Sequence, residues 1–536
     1  MATCWRVTLT ELFIRQYSHH FSVRASTPEI LLVVMKIAER FDEYEVVEMG
    51  GIWAEQFKQS FSYPQADVEG INWNDTRTEF RFHINALGHF KQLLYQESVK
   101  EESIKLEIEP LYEAVKVQFH IKPHFTPFPE QIPIIPQLCA ETPVSKMLPL
   151  QTGGGKSYLS LVAANHWGMR SAFFMKPGYI DKWEGDINKT LDIPADKIIK
   201  VSGDDKGGAI DLQTFIRGID EGWLEPHIVL ISNASFRNWI ADQEKMPPGE
   251  LVPGYPCFPW EFMQHCGFGF RVIDEVHQDF HANFRFDLIT HVEQSLSLSA
   301  TLVTKNEYLK KMYRLAYPAS AWAEVPAYRK YMRGASWHFD FMDPGRIKAT
   351  ARGRTSYSHV EFEKSIMRSS RLVREYYLMI YEVMRKTWLV NRMPEHRCLV
   401  YFATRQMCED AVFFFKQMLP HLKINKFNQG DPMKNITESD LCFATIGKAG
   451  AAIDIANLTV VIRTVAIDSI QAVLQTSGRL RDIRRLYKID RDPLYVWFVC
   501  DNFDKHKRYH RSNMEVLGDK LISINKMQHN VSLGSR

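Results

Sequence analysis

The rhythm of apolar and polar positions changes near residue 123. Upstream of it, Trp5 to Thr10, Glu79 to Ile84, Lys105 to Glu109 and Lys116 to Ile121 alternate between the two kinds, as half-buried strands do. Thr27-Pro28-Glu29 precedes the apolar run Ile30 to Ile37 and predicts a helix start, with Thr27 as cap and Pro28 in the first turn. Residues 1–122 are therefore expected to form a separate α+β accessory unit. No catalytic constellation stands out in it.

The stretch Pro123-His124-Phe125-Thr126-Pro127-Phe128-Pro129 marks a linker. Beyond it, alternation gives way to short apolar runs that end in polar loops and are separated by helical segments. Lys146 to Leu150, Ala172 to Met175, Ile228 to Ser232 and Phe270 to Ile273 form one series. Cys398 to Phe402, Leu441 to Ala444, Val460 to Ile462 and Leu494 to Phe498 form a second. Strands buried on both faces belong to parallel sheets covered by helices. The expectation is two such lobes in tandem, over 123–305 and 306–510, followed by a tail at 511–536.

Bulk properties narrow the picture only slightly. A chain of 536 residues is too long for one core. The formal net charge of +3 is small for that length, so any basic surface must be local. The eight cysteines are scattered without a CxxC pair or zinc-finger spacing, which points to a reduced, cytoplasmic protein. No apolar run reaches the roughly 18 residues a membrane span needs.

The chemistry begins at Gln151-Thr152-Gly153-Gly154-Gly155-Lys156-Ser157, between an apolar run and helical residues from Tyr158 to Ala164. Consecutive glycines let backbone amides wrap phosphate oxygens, and the following helix N-terminus adds partial positive charge. Lys156 would supply a point charge for the β- and γ-phosphates, and Ser157 a hydroxyl ligand for Mg²⁺. The general phosphate-loop pattern asks for a glycine five residues before Gly155, where this chain has Leu150.

Phe270-Arg271-Val272-Ile273-Asp274-Glu275-Val276-His277 puts two carboxylates at the end of an apolar strand. Asp274 is expected to hold the ion and Glu275 to orient and deprotonate the attacking water. His277 would relay to Leu296-Ser297-Leu298-Ser299-Ala300-Thr301, whose Ser299 and Thr301 are candidates for coupling nucleotide state to movement. Gln471-Ala472-Val473-Leu474-Gln475-Thr476-Ser477-Gly478-Arg479-Leu480-Arg481 reads as a helix bearing arginines near a glycine. An arginine brought from a second lobe can offset charge on a transferred phosphoryl group, an effect worth on the order of 10³ to 10⁵ in rate.

Taken in order, these motifs resemble the superfamily 2 DEVH-box helicases of the phage UvsW and bacterial RecG type, over about residues 123 to 510. The resemblance implies an α/β chain of two tandem RecA-like parallel-sheet lobes behind the N-terminal α+β domain, with ATP and Mg²⁺ as cofactors. It implies that Gln131 reads adenine, and that Lys176, Pro177 and Asn233 in the first lobe touch nucleic acid. In the second lobe it assigns Thr404, Arg405, Thr445 and Lys448 to the strand, and Gly450, Asp454 and Gln475 to the nucleotide. The family spaces its arginines three apart, but this chain has Asp482 three after Arg479, so the finger is either Arg479 or Arg481. The implied activity is ATP-driven unwinding or remodelling of single-stranded, duplex or branched DNA, with replication or recombination proteins as further partners; the alternatives are an RNA helicase and an ATP-gated DNA-binding translocase that separates no strands. Two basic clusters, Lys348 with Arg352 and Arg354, and Lys505, Lys507, Arg508 and Arg511, are further candidate contacts.

Overall fold

The computed structural model describes residues 12–49, 52–59, 61–62, 79–150, 153–203, 206–247, 249–299, 302, 306–327, 329–350, 356–446, 454–518 and 520–534. Two compact units divide the chain, with the main boundary between Pro326 and Ala327.

The first unit opens with a sheet of β1 (Leu12–Gln16), β2 (His20–Arg24), β3 (Phe61–Ser62), β4 (Glu79–His83) and β5 (Ile104–Ile108), in the order β3-β4-β2-β1-β5. Only β1 and β5 run parallel. Helix α1 (Pro28–Ala38) starts where the sequence predicts, because the Thr27 hydroxyl accepts from the Ile30 amide at 3.4 Å. Its buried Ile30, Val34 and Ile37 join Phe21, Phe82 and Phe90 in one apolar core, together with α2 (Leu87–Gln96). Of the expected strands, Glu79 to Ile84 and Lys105 to Glu109 are seen as β4 and β5. Of Lys116 to Ile121, only His120–Ile121 pairs as a strand, antiparallel to Leu191–Asp192. Trp5 to Thr10 lies outside the described residues.

The same unit continues into a six-stranded sheet of β6 (Ser145–Leu148), β7 (Ser171–Met175), β8 (Ile198–Val201), β9 (Ile228–Ser232), β10 (Phe270–Ile273) and β11 (Gln294–Leu298). The order is β8-β9-β7-β10-β11-β6 and every pair is parallel. Each residue of β7, β9, β10 and β11 is buried, which is why β7 and β9 read as nearly unbroken apolar runs, while β10 and β11 bury Arg271, Gln294, Ser295 and Ser297 as well. The glycine-bearing loop follows β6 and the acidic pair follows β10. One strand, β11, lies between them, so three carboxyl ends converge on one edge of the sheet. Helices α3 (Lys156–Trp167) and α4 (Ile180–Thr190) follow β6 and β7.

A charged joint ties the N-terminal sheet to this one. The guanidinium of Arg271, on β10, donates to Thr290 Oγ1 at 2.8 Å, to Ser295 Oγ at 3.2 Å and to the Asp287 carboxylate. His83 of β4 reaches the other oxygen of Asp287 at 3.6 Å.

Residues 306–326, expected in the second lobe, belong to the first unit. The helix Glu307–Ala316 sends Tyr308, Met312, Tyr313 and Ala316 into that unit's core, where apolar burial outweighs chain order.

The second unit holds a seven-stranded sheet of β12 (Met332–Phe339), β13 (Arg397–Phe402), β14 (Ile424–Phe427), β15 (Leu441–Thr445), β16 (Leu458–Arg463), β17 (Leu494–Cys500) and β18 (Leu521–Gln528). It runs β14-β15-β13-β16-β17-β12-β18, parallel throughout. Four labelled helices belong to this unit: α5 (His359–Met367), α6 (Arg405–Met418), α7 (Ile470–Ser477) and α8 (Asp504–Gly518). Residues 511–536, set apart above as a tail, instead complete α8 and supply β18, whose backbone pairs along β12. The chain is thus α/β, with tandem RecA-like parallel sheets behind an N-terminal α+β region. Among the described residues, no helix is long and apolar enough to cross a membrane.

Candidate functional site

The glycine loop is shaped by its backbone. Gly153 and Gly155 both sit at φ 87°, a region that favours glycine. A Cβ on Gly155 would also lie 2.2 Å from Gln131 Nε2. That amide nitrogen donates to the Gly154 carbonyl at 2.9 Å, while Gln131 Oε1 accepts from the Phe128 amide at 2.8 Å. Gln131 is only 2% exposed, so the residue expected to read adenine braces the loop from beneath.

Lys156 and Ser157 open α3 at the mouth of this loop. Lys156 Nζ donates to Glu275 Oε1 at 2.6 Å, joining the loop to the acidic pair. Ser157 Oγ accepts from Lys182 Nζ at 3.3 Å. Asp274 follows β10, largely buried, and Trp183 Nε1 donates to its Oδ2 at 2.8 Å. Burial first, and then the neighbouring Glu275 carboxylate, raise the Asp274 pKa above the usual range. Burial would raise Glu275 as well, but Lys156, His277 and Lys182 together hold it below its ordinary value.

Glu275 itself sits at φ 47°, ψ 50°, a left-handed conformation rare for a residue with a side chain. From there its two oxygens meet Lys156 and, at 3.4 Å, His277 Nδ1. The same His277 nitrogen lies 2.7 Å from Ser299 Oγ, so acid strand, histidine and β11 form a connected chain. Burial pushes the His277 pKa down to about 4, against the pull of Glu275 and with repulsion from Lys156 and Lys176. The imidazole is therefore neutral at neutral pH and can accept at Nδ1.

Two contributors escaped the sequence reading. Lys182 adds a second cation beside Ser157, and Trp183 holds Asp274. Both lie on the first turn of α4, a few residues after Lys176 and Pro177, which the resemblance assigns to nucleic acid. Lys182 follows Tyr179 by three residues and Trp183 by four, the spacing of one helical face, and Tyr179 is itself hydrogen-bonded to Gln278 at 3.3 Å.

The remaining candidates divide by exposure. Lys176, Pro177 and Arg405 are exposed, and Thr404, Thr445 and Gln475 are half-buried. Asn233, expected to touch nucleic acid, is 2% exposed: it opens a helix against the sheet and its side chain turns inward, out of reach of a strand on the surface. In the second unit, Arg481 Nε pairs with Asp454 Oδ1 at 3.1 Å and Nη1 donates to the Gly478 carbonyl at 2.7 Å. Arg479 is buried at 3% exposure, next to the Tyr401 hydroxyl. Asp482, where the family pattern asks for an arginine, caps the helix Ile483–Tyr487 by accepting from the Arg485 amide. Lys348, Lys505, Lys507, Arg508 and Arg511 are exposed, the last four along α8. Thr152, Thr301, Arg352, Arg354, Lys448 and Gly450 lie outside the described residues.

No family model matches the sequence, and no curated protein matches it. Among solved structures, Dbp5 of S. cerevisiae bound to RNA and ADP BeF3 shares 12% identity at TM-score 0.47, covering 75% of this chain and 90% of that one. Mss116p bound to ssRNA and AMP-PNP shares 11% identity at TM-score 0.48, covering 76% and 75% of the two chains. The DEAD-box helicase Mss116 bound to ssRNA and UDP-BeF shares 12% at TM-score 0.47, with coverage of 76% and 75%. Likeness at this level bears on neither substrate nor mechanism.

Proposed function

We propose that this chain is a nucleic-acid-dependent ATPase of the superfamily 2 helicase type, which hydrolyses ATP to move along or separate strands. The observation that supports it best is the meeting of the Gly153–Ser157 loop with Asp274 and Glu275 through the 2.6 Å contact of Lys156. In this reading the loop amides and Lys156 bind the phosphates, and Glu275 holds the attacking water and takes its proton. The left-handed backbone at Glu275 lets one carboxylate face both Lys156 and His277. Ser157 and Asp274 suit Mg²⁺: a hydroxyl and a buried carboxylate, the hard oxygen donors that ion takes. When bound, the ion would neutralise phosphate charge. His277 and Ser299 would pass the nucleotide state to β11.

Of the two arginines in the second unit, Arg481 is the better finger, since its side chain keeps 13% exposure and pairs with the exposed Asp454, whereas Arg479 is buried. We place DNA first as the polymer, on the motif resemblance, with RNA as the alternative.

ATP hydrolysis measured with single-stranded DNA, duplex DNA and RNA tests both points. Stimulation by DNA above RNA supports the reading, the reverse order assigns RNA, and no stimulation by any polymer overturns it. Lys156→Ala should abolish turnover, and Glu275→Gln should retain ATP while lowering turnover by about 10² to 10⁴. Wild-type rates in either variant would remove the site assignment.

A further inference from the structure

We propose that Glu363 is a positioning residue that holds the turn after β13 in the form that grips a nucleic-acid strand; the proposal rests on the reading above that Arg405 touches the strand. Glu363 lies on α5, forty residues before that turn, and is fully buried. Its carboxylate collects three hydrogen bonds from the turn. Oε1 accepts from the Ala403 amide at 2.7 Å, and Oε2 accepts from the Thr404 amide and the Thr404 hydroxyl, each at 2.8 Å. The Thr404 oxygen also accepts from the Met407 amide at 3.3 Å and so caps α6.

This accounting changes the role of Thr404. Its hydroxyl proton goes to Glu363 and its oxygen to the helix cap, so it is committed within the protein. The next residue, Arg405, is exposed and has no carboxylate partner among the described residues; Gln429 Oε1 steadies it at 2.7 Å. The aim of Arg405 then depends on the turn before it, and the turn depends on Glu363.

A buried carboxylate with no lysine or arginine on it is costly unless its lone pairs are used. Among the described residues, the one cationic-type neighbour is His359 of the same helix, with Nε2 at 3.8 Å from Glu363 Oε1. Burial holds His359 neutral, and His506 and Arg463 add repulsion. Its Nδ1 accepts from the Ala466 amide at 3.2 Å and lies 2.6 Å from the Tyr357 hydroxyl, which is in turn 2.5 Å from His506 Nε2. Tyr376 and Tyr377 on the helix Ser370–Thr387, Cys408 on α6, and Tyr357 also sense the Glu363 charge. Burial pushes Glu363 up to about 7, while the three bonds from the turn pull it down.

The sign follows from the bonds. An ionised carboxylate accepts all three donors. Protonation can take the one acceptor site left on Oε1, on the side of His359 Nε2, but it removes the charge that draws the three donors, so their bonds weaken and the turn loosens. The grip is strongest well above pH 7, is half lost near that value and weakens further as the pH falls below it.

The test uses the full-length protein with oligodeoxythymidylate and oligouridylate as probes, following ATPase stimulation from pH 6 to pH 8. For wild type, the half-stimulating concentration should rise toward acid. Glu363→Gln should raise it about tenfold at pH 8 and flatten its pH dependence, with turnover at saturation within about twofold. Glu363→Asp should restore part of the affinity and the pH dependence. Arg405→Ala should raise the half-stimulating concentration at every pH. If Arg405→Ala has no effect, the strand reading falls and this proposal with it. If Arg405→Ala weakens stimulation while Glu363→Gln binds nucleotide normally and keeps wild-type stimulation, the positioning role alone is overturned. A flat wild-type profile overturns it too, even if the variant does not fold.

Discussion

Gly155 concentrates several demands on one residue. Its φ of 87° is strained for any residue with a side chain, by roughly 1–2 kcal/mol. A methyl group there would also strike the Gln131 amide, which braces Gly154. Gly155→Ala should therefore displace Gln131, open the loop and weaken nucleotide binding by at least about tenfold, since losing even one amide contact to a charged phosphate costs about 1.5 kcal/mol. Calorimetric titration with ATP would measure this, and unchanged affinity would show that the loop does not hold phosphate. Gln131→Ala is the companion: it removes the brace without touching the loop backbone and should lower affinity less than Gly155→Ala. Glu275 bears the converse strain. Its backbone is held where few side-chain-bearing residues rest, and strain of that kind persists where surrounding contacts over-determine it. Here those contacts are Lys156 and His277.

At the scale of elements, the joint between β4 and β10 invites a stability experiment. Burial disfavours the Asp287 charge, yet Arg271, His83 and His19 together hold its pKa well below the usual carboxylate range. A depressed carboxylate contributes stability above the ordinary carboxylate range and loses it as the pH falls toward the folded value. Asp287→Asn leaves Arg271 buried without its counter-charge and should cost about 3–5 kcal/mol. Urea unfolding of wild type and variant at pH 7 would measure the loss, and the difference should shrink in acid. The elements themselves differed in how plainly they could be read. Continuous apolar strands such as Ile228–Ser232 and Phe270–Ile273 were legible because both faces are buried. Met332–Phe339 was not, since Arg333, Gly334, Ser336 and His338 interrupt the pattern. Leu521–Gln528 lies at the sheet edge and alternates weakly. The same contrast holds at the site: Lys156 and Glu275 sit in local motifs that announce them. Lys182 looks like any helix-surface lysine, and Glu363 meets Thr404 across forty residues that no local spacing can bridge.

For the whole molecule, a net charge of +3 spread over 536 residues cannot by itself hold a polyanion, so affinity must come from a few placed cations. On the proposed reading exposed Lys176 and Arg405 would be such groups, and the exposed row Lys505, Lys507, Arg508 and Arg511 along α8 would be a third source. Each phosphate contact releases counterion, so the logarithm of the association constant falls with the logarithm of salt by about 0.7 per contact on a single strand. Arg405→Ala should weaken binding alike on every sequence and make that slope shallower by about 0.7. Replacing all four α8 cations with glutamine separates the row from the other two: a slope shallower by about 2.8 makes it a backbone track, whereas an unchanged slope leaves it a solvated helix face. Fluorescence anisotropy of a labelled strand from low to moderate salt gives both slopes. Were the Arg405→Ala slope to match wild type, strand contact from the β13 turn would have to be given up, and the first unit's Lys176 would become the place to look next.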